Sequence, residues 1–278
     1  MSEQGSITVN VLAITALASA LMLAMMTRED ASLVRSGLYA QGARADAVLS
    51  GAELSAVAAL ARDTAASPDL DHRGEAWTAI EENGAEIEGG RFWLSIEDAQ
   101  GRFNINRLTR GALSDRQVFA RLAVSAGLDE AARDAVLAYM AVIGPVERVE
   151  ALTAAGLSRR ELARLEPLVT ALPGMAGVSL NAAPEPVLAA LFSNEIDART
   201  LAARRARGEP ITPERLRAMR LAVPPGASFS ASWFEVSARV SAGGVARAQV
   251  SVLYREVRAG RPAVRIVSRR PAALDQGA

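Results

Sequence analysis

The first feature of the hydrophobic pattern is a long apolar segment near the N-terminus. Residues 7–26 form twenty consecutive positions without a charge. At 1.5 Å per residue this segment matches the ~30 Å hydrocarbon core of a bilayer. Helical residues rich in Ala, Leu, Arg and Glu continue to about Arg62, and Ser67-Pro68 then breaks the pattern. The pattern therefore predicts one long helix over residues 6–66, with a membrane-spanning part at 7–26.

The second half of this helix carries an apolar stripe. Small and medium apolar side chains recur there at three- and four-residue spacing, which places them on one helix face. Such a face is buried against a soluble domain. The residues of the stripe are Leu49, Ala52, Ala56 and Leu60.

Beyond Pro68 the period of the pattern changes to two, which is typical of strands. Alternation is seen at 85–87, 91–96 and 102–105, and returns at 233–240, 246–254 and 264–267. Residues 246, 248, 250, 252 and 254 form the apolar face of one strand. Between these regions, from about 113 to 219, helix caps and breaks fit six to eight short helices.

These elements predict an α+β fold in which a long N-terminal helix packs on an antiparallel sheet and an all-helical subdomain is inserted into the sheet domain. The predicted divisions are a leader at 1–5, the helix at 6–66, the first part of the sheet domain at 67–112, the insert at 113–222, and the terminal strands and tail at 223–278.

Composition narrows the possible functions. Half of the 278 residues are apolar, which is enough for a sizeable core. The 31 basic and 31 acidic residues cancel, so the chain lacks the net positive charge of a dedicated nucleic-acid binder. Because the chain has no cysteine, disulfides and thiolate chemistry are excluded. A serine–histidine triad, and with it a periplasmic hydrolase activity, would depend on the single histidine, His72.

The N-terminal arrangement resembles that of type IV pilin-like proteins: a short polar leader ends in Gly5, and an apolar helix follows from Ser6. The resemblance implies cleavage by prepilin peptidase between Gly5 and Ser6 and N-methylation of Ser6. It also implies a membrane anchor that includes Ile7, Asn10 and Met26. Most pilins carry a glutamate where this chain has Asn10, which cannot form their intramembrane ion pair.

Four motifs lie in the predicted head. Residues 71–77 read D-x-x-G-E-x-W, residues 96–106 read I-x-D-x-Q-G-R-F-N-x-N, and two further motifs lie at 172–184 and 229–234. In order and spacing, the four motifs resemble those of one branch of the pilin-like group, the type II secretion system protein K family. We expect structural roles for these motif residues, with Asn181 capping the helix that begins near Pro184. The set is Trp77, Asp98, Gly101, Arg102, Phe103, Asn104, Asn106, Asn181 and Pro184.

This resemblance implies a non-enzymatic minor pseudopilin that caps and helps to initiate the periplasmic pseudopilus, in support of protein export across the outer membrane. It implies a single-pass inner-membrane protein with its bulk in the periplasm. The implied partners are minor pseudopilins I, J and H, the major pseudopilin, prepilin peptidase and the inner-membrane assembly platform. It implies no cofactor and no nucleic-acid partner.

Two candidate ligand sites remain open. Asp69, Asp71 and Glu75 are possible metal ligands, although capping and loop hydrogen bonds also explain them. Many protein K relatives bind calcium through an acidic loop in the helical subdomain. At that place this chain has the apolar segment 137–145, so calcium is not expected there.

The alternative function is DNA binding of the competence type. Residues 149–157, followed by a helix with a Ser158/Glu161 capping box, resemble a helix-hairpin-helix unit. Acidic residues offset the arginines of this segment. A denser basic group lies on a later predicted helix, where we expect a solvated or partner-facing surface. Its members are Arg199, Arg204, Arg205 and Arg207.

Overall fold

The structure, a computed structural model, describes residues 3–258 and 260–272. It begins with helix α1, Glu3–Ala66, as one continuous element. The helix ends where Ser67 N–H donates to the carbonyl of Asp63 (2.8 Å) and Pro68 follows. Proline cannot continue the helical hydrogen-bond pattern, so the chain turns here toward the head. The single long helix predicted from the sequence is confirmed.

The head contains a five-stranded antiparallel sheet with the strand order β1-β2-β7-β8-β9. Strand β2 pairs with β7 along its whole length, from Gly90 opposite Ala242 to Asp98 opposite Phe234. The two predicted sheet regions, far apart in sequence, are therefore neighbours in one sheet. The strands are β1 Glu82–Ile87, β2 Gly90–Asp98, β7 Trp233–Ala242, β8 Val245–Arg258 and β9 Arg261–Pro271.

Between β2 and β7 lies a helical block. Its helices are α2 Leu113–Ser125, α3 Glu130–Ile143, α4 Arg159–Leu165, α5 Glu185–Phe192, α6 Glu195–Ala206 and α7 Pro213–Ala218. The block also contains two-residue strands, β4 Val169–Thr170 and β5 Val178–Ser179, which the sequence pattern did not predict. They pair in parallel with β3 Phe103–Asn104 and β6 Ala227–Ser228 at the entry to and exit from the block.

Two hydrophobic cores result. One lies between α1 and the sheet and includes Trp77, Ile96 and Phe234. The other fills the helical block and is built around Phe119, Leu165 and other buried side chains. A small third cluster of Ala99, Leu172 and Trp233 lies where the block meets the sheet domain.

The burial of β8 differs from the prediction. Cross-strand pairing places Val252 and Tyr254 with Trp233 on the face away from α1. The face toward α1 instead carries Leu253 and the polar residues Ser251 and Arg255. The predicted apolar face of this strand is therefore not the one that packs on the helix, because α1 itself supplies carboxylates to the polar side chains.

Candidate functional site

The first candidate functional element is the N-terminal half of α1. Val11–Glu29 is long and apolar enough to cross a membrane, and none of this segment is buried in the protein. Leu17 and Met26, for example, are 65% and 59% exposed. A helix surface that is apolar all round and not covered by protein fits a lipid environment.

The predicted processing site lies at the edge of the described region. Met1 and Ser2 of the leader lie outside the described residues. The backbones of Gly5, Ser6, Ile7 and Asn10 lie within α1, but their side chains are outside the description. Cleavage and N-methylation at this position stay predictions.

The soluble half of α1 packs on the inner face of the sheet. Leu49, Ala52, Ala56 and Leu60 are all buried, and Ala56 and Leu60 are completely so. The predicted stripe is thus confirmed. The stripe shares one buried core with Phe234 and Val240 of β7.

At the end of this stripe lie four charged residues, called here the charged junction: Asp63 of α1, Asp71 and Glu75 of the following loop, and Arg255 of β8. Glu75 is half-buried and the other three are buried. Arg255 Nη1 donates to Asp63 Oδ2 (3.0 Å), and Nη2 donates to Asp71 Oδ2. Arg255 is 4% exposed and Asp71 1% exposed. The junction therefore joins the helix, the loop and the sheet through one guanidinium group.

Further hydrogen bonds fix the junction. Arg255 Nε and Nη2 also donate to the carbonyl of Ala231, at 3.1 and 2.7 Å, and its guanidinium lies 4.7 Å from the Phe234 ring centre. Asp71 Oδ2 accepts from Ala231 N–H (2.7 Å). Glu75 Oε2 accepts from His72 N–H and Trp77 Nε1–H. Among the described residues, Asp71 Oδ1 has no hydrogen-bond partner.

A second ion pair lies nearer the middle of the helix. Glu53, 2% exposed, accepts hydrogen bonds from Arg269 of β9 at 2.6 to 2.9 Å. Burial acts to raise the pKa of Glu53, but the bonds with Arg269 and Ser251 outweigh it and hold the pKa below its ordinary value. Helix α1 is thus ion-paired to both β8 and β9.

For two other carboxyl groups the pKa is shifted upward. Burial, together with the negative charges of Glu75 and Asp71, raises the pKa of Asp63 from 3.8 to about 6, despite the nearby Arg255. Burial also raises the pKa of Asp98 to about 7, although Ser179 and the Gln100 N–H act to lower it. The largest cause in both is burial, and the negative charge of Asp71 adds to it.

These shifts predict that mild acidification stabilises the head. A folded-state pKa above the unfolded value means that the folded protein binds more protons, so stability falls as pH rises through about 6 to 7. We expect the melting temperature of the full-length protein in detergent to be a few degrees higher at pH 5.5 than at pH 8. Asp98→Asn should reduce this difference. A melting temperature that is lower at pH 5.5 would contradict the assignment.

The predicted metal ligands stay a prediction. Within the described part of the chain, two of them, Asp71 and Glu75, lie with Asp63 closely enough to share an ion. Arg255 forms ion pairs with Asp63 and Asp71, and its single positive charge offsets one of their two negative charges. Asp69, the third predicted candidate, is exposed and is not in this group. In segment 137–145, α3 ends with exposed Val142 and Ile143.

The single histidine is used in the same loop. His72 Nδ1 accepts a hydrogen bond from the N–H of Gly74 (2.9 Å), and its own backbone N–H donates to Glu75. These bonds give His72 a role in loop structure.

The asparagines of the predicted motifs connect the sheet domain to the helical block. Asn104 Nδ2 donates to the carbonyls of Leu172 and Gly174, both at 3.1 Å. Asn106 pairs with the N–H (2.8 Å) and carbonyl (2.9 Å) of Val146. Both asparagines are 1% exposed. They satisfy backbone groups of loops that would otherwise be buried without partners.

Gln100 and Gly101 make the neighbouring connection. Gln100 Nε2 donates to the carbonyl of Gly177, and Oε1 accepts from the N–H groups of Ser232 and Trp233. A Cβ on Gly101 would lie 2.7 Å from the carbonyl oxygen of Ala182, so only glycine fits this contact. The motif therefore describes a packed junction between chain segments.

The remaining motif residues have varied places. Trp77 and Phe103 are core residues, and Arg102 lies 3.9 Å from Glu235 at the surface. Pro184 is the residue before α5. The expectation for Asn181 was wrong: its side chain pairs with the N–H and carbonyl of Ile211 and does not cap α5. This long-range pair holds two loops of the helical block together.

The helix-hairpin-helix unit predicted for the DNA-binding alternative is present, but an acidic side chain caps the N-terminus of its second helix. A 3-10 turn over Val149–Ala155 leads through Gly156 to α4. The Glu161 carboxylate accepts a hydrogen bond from Ser158 N–H (2.8 Å), and Ser158 Oγ accepts one from Glu161 N–H (3.3 Å), which completes the predicted capping box. The position that a phosphate would use therefore already holds an acidic side chain.

The arginines of the predicted basic group on α6 do not act as one group, because they have different partners. Arg205 was expected on a solvated surface, but its Nη1 donates to the carbonyls of Leu180 and Ala183 at 3.0 and 2.6 Å. Arg204 and Arg207 lie near Glu209, and Arg199 lies near Glu185. These contacts do not form the continuous basic surface of a DNA-binding site.

A membrane-length helix continues onto an antiparallel sheet that carries a large helical insertion, so the chain has an α+β fold. In sequence, the chain is similar to type II secretion system protein K of Pseudomonas aeruginosa. The two are 28% identical over 232 residues, with 70% of this chain and 69% of the relative covered. The resemblance deduced from the four motifs is therefore confirmed.

A structural relative has the same fold. A chain from the crystal structure of the GspK-GspI-GspJ complex of the enterotoxigenic Escherichia coli type 2 secretion system superimposes with a TM-score of 0.67. The match covers 86% of this chain and all of that one, at 16% sequence identity. No family model matches the sequence.

Proposed function

We propose that this chain is a minor pseudopilin of a type II secretion system, which joins pseudopilins I and J in a complex at the tip of the periplasmic pseudopilus. One observation carries the proposal: sequence similarity to protein K coincides with a fold match to a chain of a GspK-GspI-GspJ complex over nearly the whole length. Pseudopilin H, the major pseudopilin, prepilin peptidase and the assembly platform are further proposed partners.

The shape of the head supports a position at the tip. Six helices and a separate core lie beside the pilin-like sheet domain. Subunits within a pilus stack at a short, regular spacing, and a heterologous contact repeats only if every copy has room for the next. A bulky lateral block is accommodated best where no further copy has to follow.

The anchor supports the proposed location. With Val11–Glu29 in the inner membrane, α1 would carry the head directly into the periplasm. We propose cleavage between Gly5 and Ser6 and N-methylation of Ser6 as the maturation step. The role is structural: the buried carboxylates are held by Arg255 and backbone groups, in bonds that stabilise the head.

A complementation assay tests the function. Deletion of the gene in its host should stop export of the host's type II substrates, and the full-length chain should restore it. Leu17→Arg places a charge near the centre of the anchor at a cost of about 2.5–3.5 kcal/mol and should fail to restore export. Leu17→Met is the matched control and should succeed. Normal export after deletion, together with salt-dependent DNA binding by the purified chain, would support the hairpin alternative instead.

A further inference from the structure

The face of the sheet opposite α1, called here the outer face, carries an unpaired arginine stacked on a tryptophan. Cross-strand pairing places Arg239 of β7 directly opposite Trp93 of β2, and the Arg239 guanidinium lies 4.4 Å from the Trp93 ring centre. Among the described residues, no hydrogen-bond acceptor contacts the buried Nε of Arg239. This side chain is therefore positioned by stacking and not by a hydrogen bond to Nε.

The charge of Arg239 is also unmatched on its own face. Strand pairing defines eight neighbouring outer-face positions, and none of them holds a carboxylate. Two are cross-strand neighbours, two lie along β7 and four are diagonal. They are Trp93, Ala248, Ser237, Ser241, Arg91, Ser95, Ala246 and Val250. Across the part of the chain that the structure describes, no acidic group lies within ion-pair distance of Arg239.

On the inner face of the same sheet, by contrast, arginines form ion pairs. Arg255 and Arg269 each bind carboxylates of the helix or the following loop. On the outer face, Arg265 of β9 repeats the arrangement of Arg239, because it lies 4.9 Å from the Tyr254 ring centre. At about 3.3 Å per residue, the six positions from Ala248 to Tyr254 along β8 separate the two stacked arginines by roughly 20 Å.

The Trp93 side chain is held in place from its other side. Gly84 forms a bulge in β1 with a φ of +75°, and a Cβ there would lie 3.4 Å from Trp93 Nε1. Glycine therefore lets the strand adopt this conformation and leaves room for the indole. The Trp93–Arg239 pair is set before any partner arrives, which lowers the entropy cost of binding.

The pair borders a surface groove of about 480 Å³. Its floor includes Ser95, Ser237 and Val250. At the β1 end, Glu81 is occupied by Arg73 and the N–H of Ile96. Glu82 of β1 also lines the groove. The groove has room for a few side chains of an extended segment.

We propose that the outer face around Trp93 and Arg239 is a docking surface for a partner protein, and that a carboxylate side chain of the partner binds Arg239. Tryptophan and arginine are the residue types most enriched among those that dominate interface affinity. Because Nε is buried, a partner carboxylate would bind the edge of the guanidinium formed by Nη1 and Nη2, which can donate two parallel hydrogen bonds. Charge complementarity thus selects an acidic segment.

Site-specific photo-cross-linking in host membranes tests this surface. A benzoylphenylalanine at Ser237 of the full-length chain, next to Arg239, should cross-link to one segment of a partner protein, and mass spectrometry should find Asp or Glu beside the linked residue. Arg239→Glu should reduce the cross-link at least about tenfold, because like charges then face each other. Changing the partner's acidic residue to Arg should restore it. Arg217→Glu, at an arginine side chain 73% exposed on α7, is the matched control.

Each outcome of the cross-linking experiment either supports or overturns the docking proposal. A cross-link to a second copy of this chain, no cross-link at all, or one insensitive to Arg239→Glu would overturn the proposal. If Arg239→Glu lowers the melting temperature, Arg239→Gln is used for the same comparison. The inference goes beyond the proposed function. If deletion of the gene stops export but Ser237 gives no cross-link, the docking surface is disproved and the pseudopilin assignment is unaffected.

Discussion

Arg255→Met should lower the free energy of unfolding of the full-length chain by about 3–5 kcal/mol, the usual cost of removing one partner from a buried ion pair. Methionine fills a similar volume but leaves Asp63 and Asp71 facing each other without a cation. The substitution also removes two donors to the Ala231 carbonyl. Because the junction joins α1 to the sheet, we expect the helix to detach from the head early in unfolding.

Denaturant unfolding in detergent, followed by tryptophan fluorescence, measures this effect. Trp77 and Trp233 are both buried, so their emission should report loss of the head. Arg258→Met, at an exposed position on the same strand, is the matched control and should change stability by less than about 0.5 kcal/mol. Adding Asp71→Asn to Arg255→Met should recover part of the loss. A loss below about 1 kcal/mol would show that the ion pairs do not hold the junction.

The long-range order of the fold could largely be predicted from periodicity. An uncharged run of membrane length, a stripe at helical spacing and two separated regions of period two are local signals, and each survives in the structure. The sequence also predicted that the helical block is inserted into one sheet domain, and the pairing of β2 with β7 across this block agrees with that prediction. These features depend on the positions of apolar side chains along the chain, and those positions can be read directly from the sequence.

The charged junction could not be predicted in the same way. Asp63 and Arg255 are separated by 192 positions, and neither belongs to a motif. The alternation in β8 identified an apolar face at even-numbered positions from 246 to 254, whereas the face toward α1 carries Ser251 and Arg255. A polar residue inside a strand is informative about a buried ion pair only when its partner is known.

The motif asparagines illustrate the same limit. Asn104 and Asn181 were read as loop and cap residues because asparagine satisfies nearby backbone groups. Their partners are indeed backbone groups, but those of Asn104 include Leu172, 68 positions away, and that of Asn181 is Ile211, 30 positions away. Residue type alone predicted the chemistry of these bonds, and only the folded chain identifies the segments that they join.

Formation of a complex with pseudopilins I and J is the expected result with the largest effect on function. The proposal requires α1 and the head to bind other pilin-like chains and the helical block to stop further stacking. Each full-length chain should therefore enter a complex once, in contrast to a subunit that repeats along a filament. Cooperative assembly through several interfaces should make the complex much more stable than any pair of its chains.

The most direct measurement is native mass spectrometry of the full-length chain co-expressed with pseudopilins I and J of the same organism and purified in detergent through a tag on this chain alone. The account predicts a complex with one copy of each chain, together with a loss of residues 1–5 from this chain when prepilin peptidase is present. The matched control is the major pseudopilin in place of I and J, which should give no such three-chain complex. Recovery of this chain without I and J, or in filaments of many copies, would contradict the central claim.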